Sequence, residues 1–308
     1  MSRPRRALPG ATYHLSRRCV GGQFLLTPSK QTNQLFLYLL AVCAERYMMK
    51  VHMATVMSNH DHIVLTDPNG RIADFCRDLG ALTARSLNRQ YDRQEAVWSC
   101  KPVSRQELHT AEDVMDKLVY TALNPVKADL VEIPEQWPGV RILSKEVRAG
   151  RVEVSRPDVP FFTNSKLPKS AVLKLSKPHH FEDVGKEEYL RQLDERIGAG
   201  VRELRLARRA KRKKVLGAVA IKAQSIYDTP SEPTKKRSIS PQLACKNKVL
   251  RIRLLKDLRR FRDAYQEAKA KWLAGVTDVL FPAGTQLMDR LPGARCESRP
   301  PGLALQGL

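Results

Sequence analysis

The sequence predicts an α+β fold: a ferredoxin-like split βαβ unit, an antiparallel sheet with helices on one face, followed by a basic, mainly helical C-terminal region. Two observations predict it. The apolar residues of the first 140 residues follow the order strand, helix, strand, strand, helix, strand, helix, and the first six elements are the split βαβ order. The positive charge, in contrast, lies almost entirely beyond residue 140.

A strand and a helix open this pattern. Residues 11–16 (ATYHLS) read as a short strand, and residues 29–48 carry apolar side chains near helical spacing. Ser29 stands where an N-cap residue is expected, because its hydroxyl can accept a hydrogen bond from the first helical turn. We therefore expect the first helix to begin directly after Ser29.

Two alternating segments follow and predict a hairpin. Residues 51–57 (VHMATVM) and 60–66 (HDHIVLT) both have strand character, and the Ser58-Asn59 pair between them is a turn signal. Side chains two apart on a strand point to the same face of the sheet. His60 and His62 are therefore expected to project together.

The second helix, the last strand and a third helix complete the unit. Residues 71–90 place apolar side chains on one helical face, and a strand is predicted near 97–103. A helix is predicted over 111–124, capped by Thr110 and ending near Asn124, since proline disfavours helical geometry in the residue before it. With helices on one face, the other face of the sheet is left open for a site.

The rest of the chain is predicted to alternate linkers and basic helices. The expected segments are a linker or loosely ordered arm over 145–180, helix over 186–226, a linker over 228–241, helix over 242–273 and a frayed tail over 292–308. We accordingly divide the chain into a first domain over 1–140 and a basic, mainly helical extension with linkers and a frayed tail over 141–308.

Net charge supports a polyanionic partner. Of the formal +22, only +3 falls on residues 1–140 and +19 falls on the remainder. Clustered cations release counterions from a phosphate backbone, which favours nucleic acid, although a basic face that only aids solubility is an alternative. Arg208, Arg209 and Arg212 lie in the densest basic run and are candidate DNA contacts. With 6% aromatic residues, binding there is expected to be electrostatic.

Cysteine usage and hydropathy point to the cytoplasm. The six cysteines show no CxxC pair and suit neither a disulfide scaffold nor a zinc ribbon, so free thiols are expected. The sequence opens without a secretory h-region, and no apolar run approaches the length of a membrane span. We expect a soluble, cytoplasmic protein associated with the nucleoid and not with a membrane.

Two residue pairs carry the candidate chemistry. His60 and His62 on one strand face can hold a divalent metal ion, although most such pairs are surface or satisfied core histidines. Tyr120 and Asn124 lie four apart on a helix, hence on one face. There the phenol could act as a nucleophile and the amide oxygen as a third metal ligand. Either pair alone is a weak signal.

Together, these pairs identify a resemblance. Residues 56–65 (VMSNHDHIVL) and 118–131 (LVYTALNPVKADLV) strongly resemble the HUH single-tyrosine transposases, and in particular the REP-associated tyrosine transposases and their insertion-sequence relatives. The opening segment 13–18 (YHLSRR) resembles the first strand of that family. The resemblance covers roughly residues 8–140.

The resemblance implies a DNA transposase that cleaves and rejoins single-stranded or hairpin DNA. It implies that Tyr120 attacks the scissile phosphate to form a 5′-phosphotyrosine link, and that His60, His62 and Asn124 bind Mg²⁺ or Mn²⁺. Related families exist as homodimers, so a homodimer is one expected state. The sequence leaves open whether the tyrosine serves its own subunit or a partner.

Four basic residues near the motifs are further candidate DNA contacts. Lys117 and Lys127 flank Tyr120, while Arg17 and Arg18 leave the first strand. Any of them could contact phosphates beside the cleavage site, and solvated surface side chains are the alternative interpretation.

Asp61 departs from the family pattern, in which the residue between the two histidines is usually apolar. Strand alternation points Asp61 to the opposite face of the sheet, so either that face is wet or the site is altered. It is the best evidence for an alternative function, a catalytically silent transposase-derived DNA-binding protein. A metal phosphoesterase that uses the histidine pair without covalent catalysis is a third reading. It leaves Tyr120 unexplained.

Overall fold

A six-stranded sheet organises the chain. The computed structural model describes residues 4–231, 241–285, 288, 291 and 294–298. The first elements are β1 (Ala11–Arg18), α1 (Lys30–Tyr47), β2 (Lys50–Met57), β3 (His60–Asp67), α2 (Ile72–Gln90), β4 (Ser104–Leu108) and α3 (Ala111–Lys127). They are followed by β5 (Arg141–Ile142), α4 (Ser144–Ala149), β6 (Arg151–Ser155), β7 (Ser170–Lys174), α5 (Lys186–Ala210), α6 (Ala218–Ala223), β8 (Leu243–Ala244), α7 (Lys248–Leu273), β9 (Leu280–Phe281) and β10 (Arg295–Cys296). Short 3-10 turns cover Val20–Gly22, Pro134–Gln136, Pro160–Phe162 and His179–Phe181.

The order of the strands is that of a split βαβ unit. The sheet runs β5-β2-β3-β1-β4-β8, and the four central strands pair antiparallel throughout. The two crossings, β1-α1-β2 and β3-α2-β4, are interleaved as this motif requires. The predicted fold class is therefore confirmed. Strands from beyond residue 140 extend both edges, with β5 antiparallel to β2 and β8 parallel to β4.

Helix α1 begins where its sequence predicts. The Ser29 hydroxyl accepts a hydrogen bond from the Thr32 amide at 3.0 Å, which satisfies one of the free N–H groups of the first turn. The helix ends at Met48, whose left-handed backbone closes the last turn. Its apolar face, including Leu35 and Leu39, is fully buried.

Helices α1 and α2 cover one face of the sheet, and α3 crosses the other. Leu15 of β1 and Ile63 of β3 meet Phe36 of α1 and Phe75 of α2 around one cavity, so odd-numbered residues of these two strands face the helix pair. Even-numbered residues point the opposite way. Helix α3 packs against β2 and β3 on that opposite face.

Two predicted boundaries in the first part are wrong. The strand expected near 97–103 lies at Ser104–Leu108, because this segment pairs with residues Thr12–Ser16 of β1, whereas Trp98 makes only an isolated bridge to Cys19. Helix α3 continues through Pro125 to Lys127 instead of ending near Asn124. A proline in the last turn removes a single helical hydrogen bond, and burial of Val126 and Leu123 offsets that loss.

The predicted arm over 145–180 is instead folded structure. It contains α4 and a hairpin of β6 and β7, which pair antiparallel from Arg151↔Lys174 to Ser155↔Ser170. Strand β7 packs against α1 through its alternate residues Ala171 and Leu173, both of which are buried. A short hairpin gains its stability from this packing, so polar, proline-containing flanks concealed it in the sequence.

The basic C-terminal part is mainly helical, as predicted, with different bounds. The single helix expected over 186–226 is two helices, α5 and α6, and the one expected over 242–273 begins at Lys248, because residues 243–244 join the sheet as β8. Helix α7 packs with β9 around Phe281. Most of the predicted linker over 228–241 and most of the predicted tail lie outside the described residues.

None of the six cysteines, all of which lie in the described part of the chain, forms a disulfide. Among the described helices, none combines the length and hydropathy that a bilayer crossing requires.

Candidate active site

Three histidines meet on the sheet face that α3 crosses. His60 and His62 project from β3 on the same face, and their ring centroids lie 4.9 Å apart. His14 of the neighbouring strand β1 stacks on His62, with ring centroids 5.1 Å apart and planes tilted by 11°. The register that pairs Ser16 with His62 brings these rings together across the two strands.

Helix α3 places Tyr120 over the histidines. The phenol ring lies edge-on to His62 and to His14, at centroid distances of 5.3 and 5.7 Å. Tyr120 is half-buried, so part of its side chain is accessible from solvent. Within this chain, the tyrosine and the histidines lie together in one site.

Asn124 lies one turn beyond Tyr120 on the same face of α3 and is buried. Its side chain hydrogen-bonds to His60, which on its own raises the pKa of that histidine. The structure thus brings together all four residues predicted for the chemistry, namely Tyr120, His60, His62 and Asn124. Their roles as nucleophile and metal ligands remain predictions.

Burial keeps the site histidines neutral. It lowers the pKa of His60 to about 4 and that of His14 to about 3, in the second case with help from the positive charge of Lys117. Burial also lowers the pKa of His62 well below its ordinary value, and the adjacent His60 and His14 add to the effect. A neutral imidazole keeps a nitrogen lone pair, which is the form that binds metal ions.

The donor set fits a divalent metal ion. His60 Nδ1 lies 2.6 Å from Asn59 Oδ1, so this nitrogen is the N–H donor and Nε2 keeps a lone pair. His62 Nε2 is buried and has no hydrogen-bond partner. Across the described part of the chain, no group of three or more His, Cys, Asp or Glu side chains is arranged as a metal site, so the candidate set is two imidazoles and the Asn124 amide.

Helix α5 forms ion pairs and hydrogen bonds near both ends of α3, the helix that carries Tyr120. Near its beginning, Glu112 accepts two hydrogen bonds from Arg196, at 2.8 and 2.9 Å. Near its end, Arg208 donates to Asp129, Glu132 and the Val126 carbonyl at 2.8 to 3.0 Å. The last of these bonds goes to a carbonyl of the final turn that also accepts from the Asp129 amide, and a cation is favoured there by the helix dipole.

The prediction that Arg208 contacts DNA is therefore wrong. Its side chain is buried, with 5% of the residue exposed, and its guanidinium is committed to α3 and the loop that follows. Arg209 and Arg212, predicted in the same basic run, are exposed. Helical spacing turns one arginine of the run inward against α3 and leaves its neighbours in solvent.

We expect Arg208→Met to lower the free energy of unfolding by about 1.5–3 kcal/mol, because charge-assisted bonds at the end of α3 are lost. Arg209→Met is the matched control, since it removes an exposed guanidinium one position along the same helix, and we expect a change below about 0.5 kcal/mol. Urea unfolding of the two variants measures both values. Equal unfolding midpoints for the two variants would mean that the bonds from Arg208 to the end of α3 do not stabilise the fold.

The other predicted DNA contacts fall into two groups. Lys117 and Lys127 place their Nζ atoms 5.4 and 5.5 Å from the centroid of the Tyr120 ring, on either side of it. Arg18 lies near enough to His60 to lower its pKa. These three cations therefore surround the site, and DNA contact by any of them remains a prediction.

Arg17 is the exception, and its predicted place beside the cleavage site is wrong. Its guanidinium lies over the Trp98 ring at 4.9 Å on the face covered by α2. A Cβ atom at Gly80 of α2 would come within 1.4 Å of the guanidinium, so a larger residue there would displace the end of the Arg17 side chain. Strand alternation sends Arg18 toward Tyr120 and Arg17 away from it.

Asp61 occupies the same buried side as Arg17. It is 5% exposed and accepts a hydrogen bond from the Arg17 amide at 3.0 Å. Burial raises the pKa of Asp61 to about 7, although the Arg17 amide and the Arg17 charge both act to lower it. The face is therefore not wet at Asp61, and Asp61 does not join the metal-ligand set.

His14 is the site residue that sequence reasoning missed as a participant. In the sequence, His14 belongs to the segment 13–18 that resembles the first strand of the family. The available signal was its position: His14, Ser16 and Arg18 alternate along β1, and any antiparallel pairing of β1 with β3 in this register turns His14 toward the histidine pair.

Comparison with known proteins adds two solved structures. No protein-family model and no curated protein matches the chain. The chain is similar to a REP-associated tyrosine transposase bound to a REP hairpin, with 18% identity, a TM-score of 0.41, and coverage of 49% of this chain and 87% of that one. It is also similar to a protein from Deinococcus radiodurans R1 described as a candidate transposase, with 18% identity, a TM-score of 0.26, and coverage of 34% and 84%. The first belongs to the group that the sequence motifs resemble.

Proposed function

We propose that this protein is a transposase that cleaves and rejoins single-stranded DNA through a 5′-phosphotyrosine intermediate on Tyr120. The observation that carries the proposal is the half-buried Tyr120 ring 5.3 Å from His62, with Asn124 one turn along the same helix. A phenol can act as the nucleophile in covalent attack on a phosphodiester, and neutral imidazoles beside an amide can hold a metal ion there. The sequence resemblance supports the same function.

In the proposed reaction, the Tyr120 oxygen attacks the scissile phosphorus and the bond from phosphorus to the 3′ oxygen breaks. The phenol loses its proton and the departing oxygen gains one, which leaves a free 3′-hydroxyl and a 5′-phosphotyrosine. Rejoining is the reverse attack by a 3′-hydroxyl, so the bond energy is conserved. His60, His62 and Asn124 would hold Mg²⁺ or Mn²⁺, which supplies charge stabilisation at the scissile phosphate. Lys117 and Lys127 offset phosphate charge beside the ring.

The basic C-terminal part is proposed to track the phosphate backbone of single-stranded or hairpin DNA. Arg209 and Arg212 are exposed there and remain candidates for this role. Contacts to phosphate position a substrate, whereas they carry little sequence information. The silent DNA-binding alternative loses its main support, because Asp61 lies on the opposite face from Tyr120.

The test uses a hairpin-forming single strand from the ends of the protein's own locus, labelled at either end, with Mn²⁺ or EDTA. We expect a denaturant-resistant adduct that retains the 3′ label, release of the 5′-labelled fragment with a free 3′-hydroxyl, and no adduct in EDTA. Mass spectrometry should map the phosphotyrosine to Tyr120. DNA binding without an adduct on several such strands would favour the silent DNA-binding protein, and metal-dependent cleavage without an adduct would favour a phosphoesterase.

A further inference from the structure

The contact between His14 and His62 bears on the tautomer and the orientation of the His62 ring. His14 Nε2 lies 3.1 Å from His62 Nδ1, a hydrogen bond between two neutral rings. Both side chains are buried, with 5% of each residue exposed, so water does not substitute for either partner. One ring must donate and the other accept.

We propose that His14 is a positioning residue that accepts the Nδ1–H of His62, and thereby keeps the Nε2 lone pair of His62 facing the site. The proposal rests on the proposed function for its consequence, because that lone pair is where a metal ion would bind. The hydrogen bond between His14 and His62 is independent of that function, because it is formed by the side chains alone.

The two possible proton arrangements are not equivalent. If His14 donated instead, the single proton of neutral His62 would sit on Nε2, which is buried and has no partner. A buried N–H without an acceptor is costly and is rarer in proteins than an unpaired acceptor. If His14 accepts, the unpaired atom is a bare nitrogen, and the site is ready for a cation.

The surroundings of His14 supply the partner that the accepting arrangement needs. With its Nε2 accepting, neutral His14 carries its proton on Nδ1 and needs an acceptor of its own. Gln106 stands directly opposite His14 in the pairing of β1 with β4, and its side chain hydrogen-bonds to His14. In this arrangement His62 donates to His14, and His14 donates to Gln106. The Nε2 atom of His62 then keeps its lone pair. Such outer partners orient ligating histidines in metal sites.

His52 supplies an internal reference for the experiment. It is buried on β2, with Nδ1 2.8 Å from the Ser176 carbonyl oxygen and Nε2 2.8 Å from the Thr66 hydroxyl. A carbonyl only accepts, so His52 must carry its proton on Nδ1. This is the same tautomer that we assign to His62.

The test is long-range nitrogen–proton NMR of the metal-free, histidine-labelled protein, joined to Mn²⁺ titration by electron paramagnetic resonance. We expect the His62 signals to match the Nδ1–H pattern of His52. In His14→Leu, the proton should move toward Nε2 and Mn²⁺ affinity should fall about 10- to 100-fold. His14→Gln, which can place an acceptor where Nε2 was, should stay close to wild type in both measurements.

Several outcomes decide the matter. An Nε2–H signal for His62 in the wild type overturns the proposal, as does unchanged Mn²⁺ affinity in a folded His14→Leu. If His14→Leu does not fold, the wild-type tautomer and the His14→Gln comparison still decide. A wild type with the Nδ1–H tautomer that binds no Mn²⁺ and forms no adduct would sink the proposed function while leaving the assignment of His14 intact.

Discussion

Tyr120→Phe is expected to lower DNA cleavage by at least ~10⁴-fold, because the substitution removes the only oxygen that the proposed reaction uses as its nucleophile. The aromatic ring would keep its edge-on contacts with His14 and His62 and its position between two lysine ammonium groups. We therefore expect DNA affinity to be unchanged and the free energy of unfolding to change by less than ~1 kcal/mol.

Tyr227→Phe is the matched control for this measurement. Tyr227 is 60% exposed and its ring lies 5.5 Å from the Arg93 guanidinium. The same chemical change there should leave cleavage at the wild-type rate. Single-turnover cleavage of a labelled hairpin strand gives both rates, and residual cleavage within tenfold of wild type in Tyr120→Phe would show that another group attacks the phosphorus.

Asp61→Asn is expected to stabilise the protein above pH 8, by on the order of 3–4 kcal/mol. Burial raises the pKa of Asp61 to about 7 in the folded protein, against 3.8 for an ordinary aspartate. Between these two values the folded state holds a proton that the unfolded chain has released. The free energy of unfolding of the wild type therefore falls as pH rises through that window, and the full cost of burying the carboxylate is present above it.

Urea unfolding of both proteins at pH 4, 6 and 8.5 tests whether the free energy of unfolding depends on pH in this direction. The difference between Asp61→Asn and wild type should be small at pH 4 and grow with pH. The buried histidines act in the opposite direction below their ordinary pKa, but they are the same in both proteins and cancel in the difference. Asp74→Asn is the contrasting control, because Asp74 is paired with Arg71 and Arg77 at 2.8 Å and its loss should destabilise the fold. A constant difference across pH would contradict the buried-carboxylate account.

Local periodicity predicted what lies along one strand or helix. The hairpin of β2 and β3, the cap at Ser29 and the pairing of Tyr120 with Asn124 on one helical face depend only on spacing in the sequence, and the structure has each of them. The central sheet also follows from the order of elements, since few topologies accommodate it.

Features that depend on pairing between distant segments were not predictable. The true partner of β1 lies at Ser104–Leu108, a choice made by register and not by the apolar pattern of 97–103. Arg208 and Arg209 are adjacent arginines in the sequence. The docking of α5 on α3 buries Arg208 and leaves Arg209 exposed. His14 joins the site through the alignment of two strands, which one sequence does not reveal.

Because side chains alternate along β3, one short segment contributes to both the candidate site and the packed interior. His60 and His62 face the tyrosine, whereas Asp61 and Ile63 belong to the packed interior under α1 and α2. A single inserted or deleted codon between residues 58 and 62 would exchange these roles at once, carrying a carboxylate to the phenol and burying an imidazole beneath a helix. Natural variants of this chain should therefore carry substitutions in this segment far more readily than changes in its length.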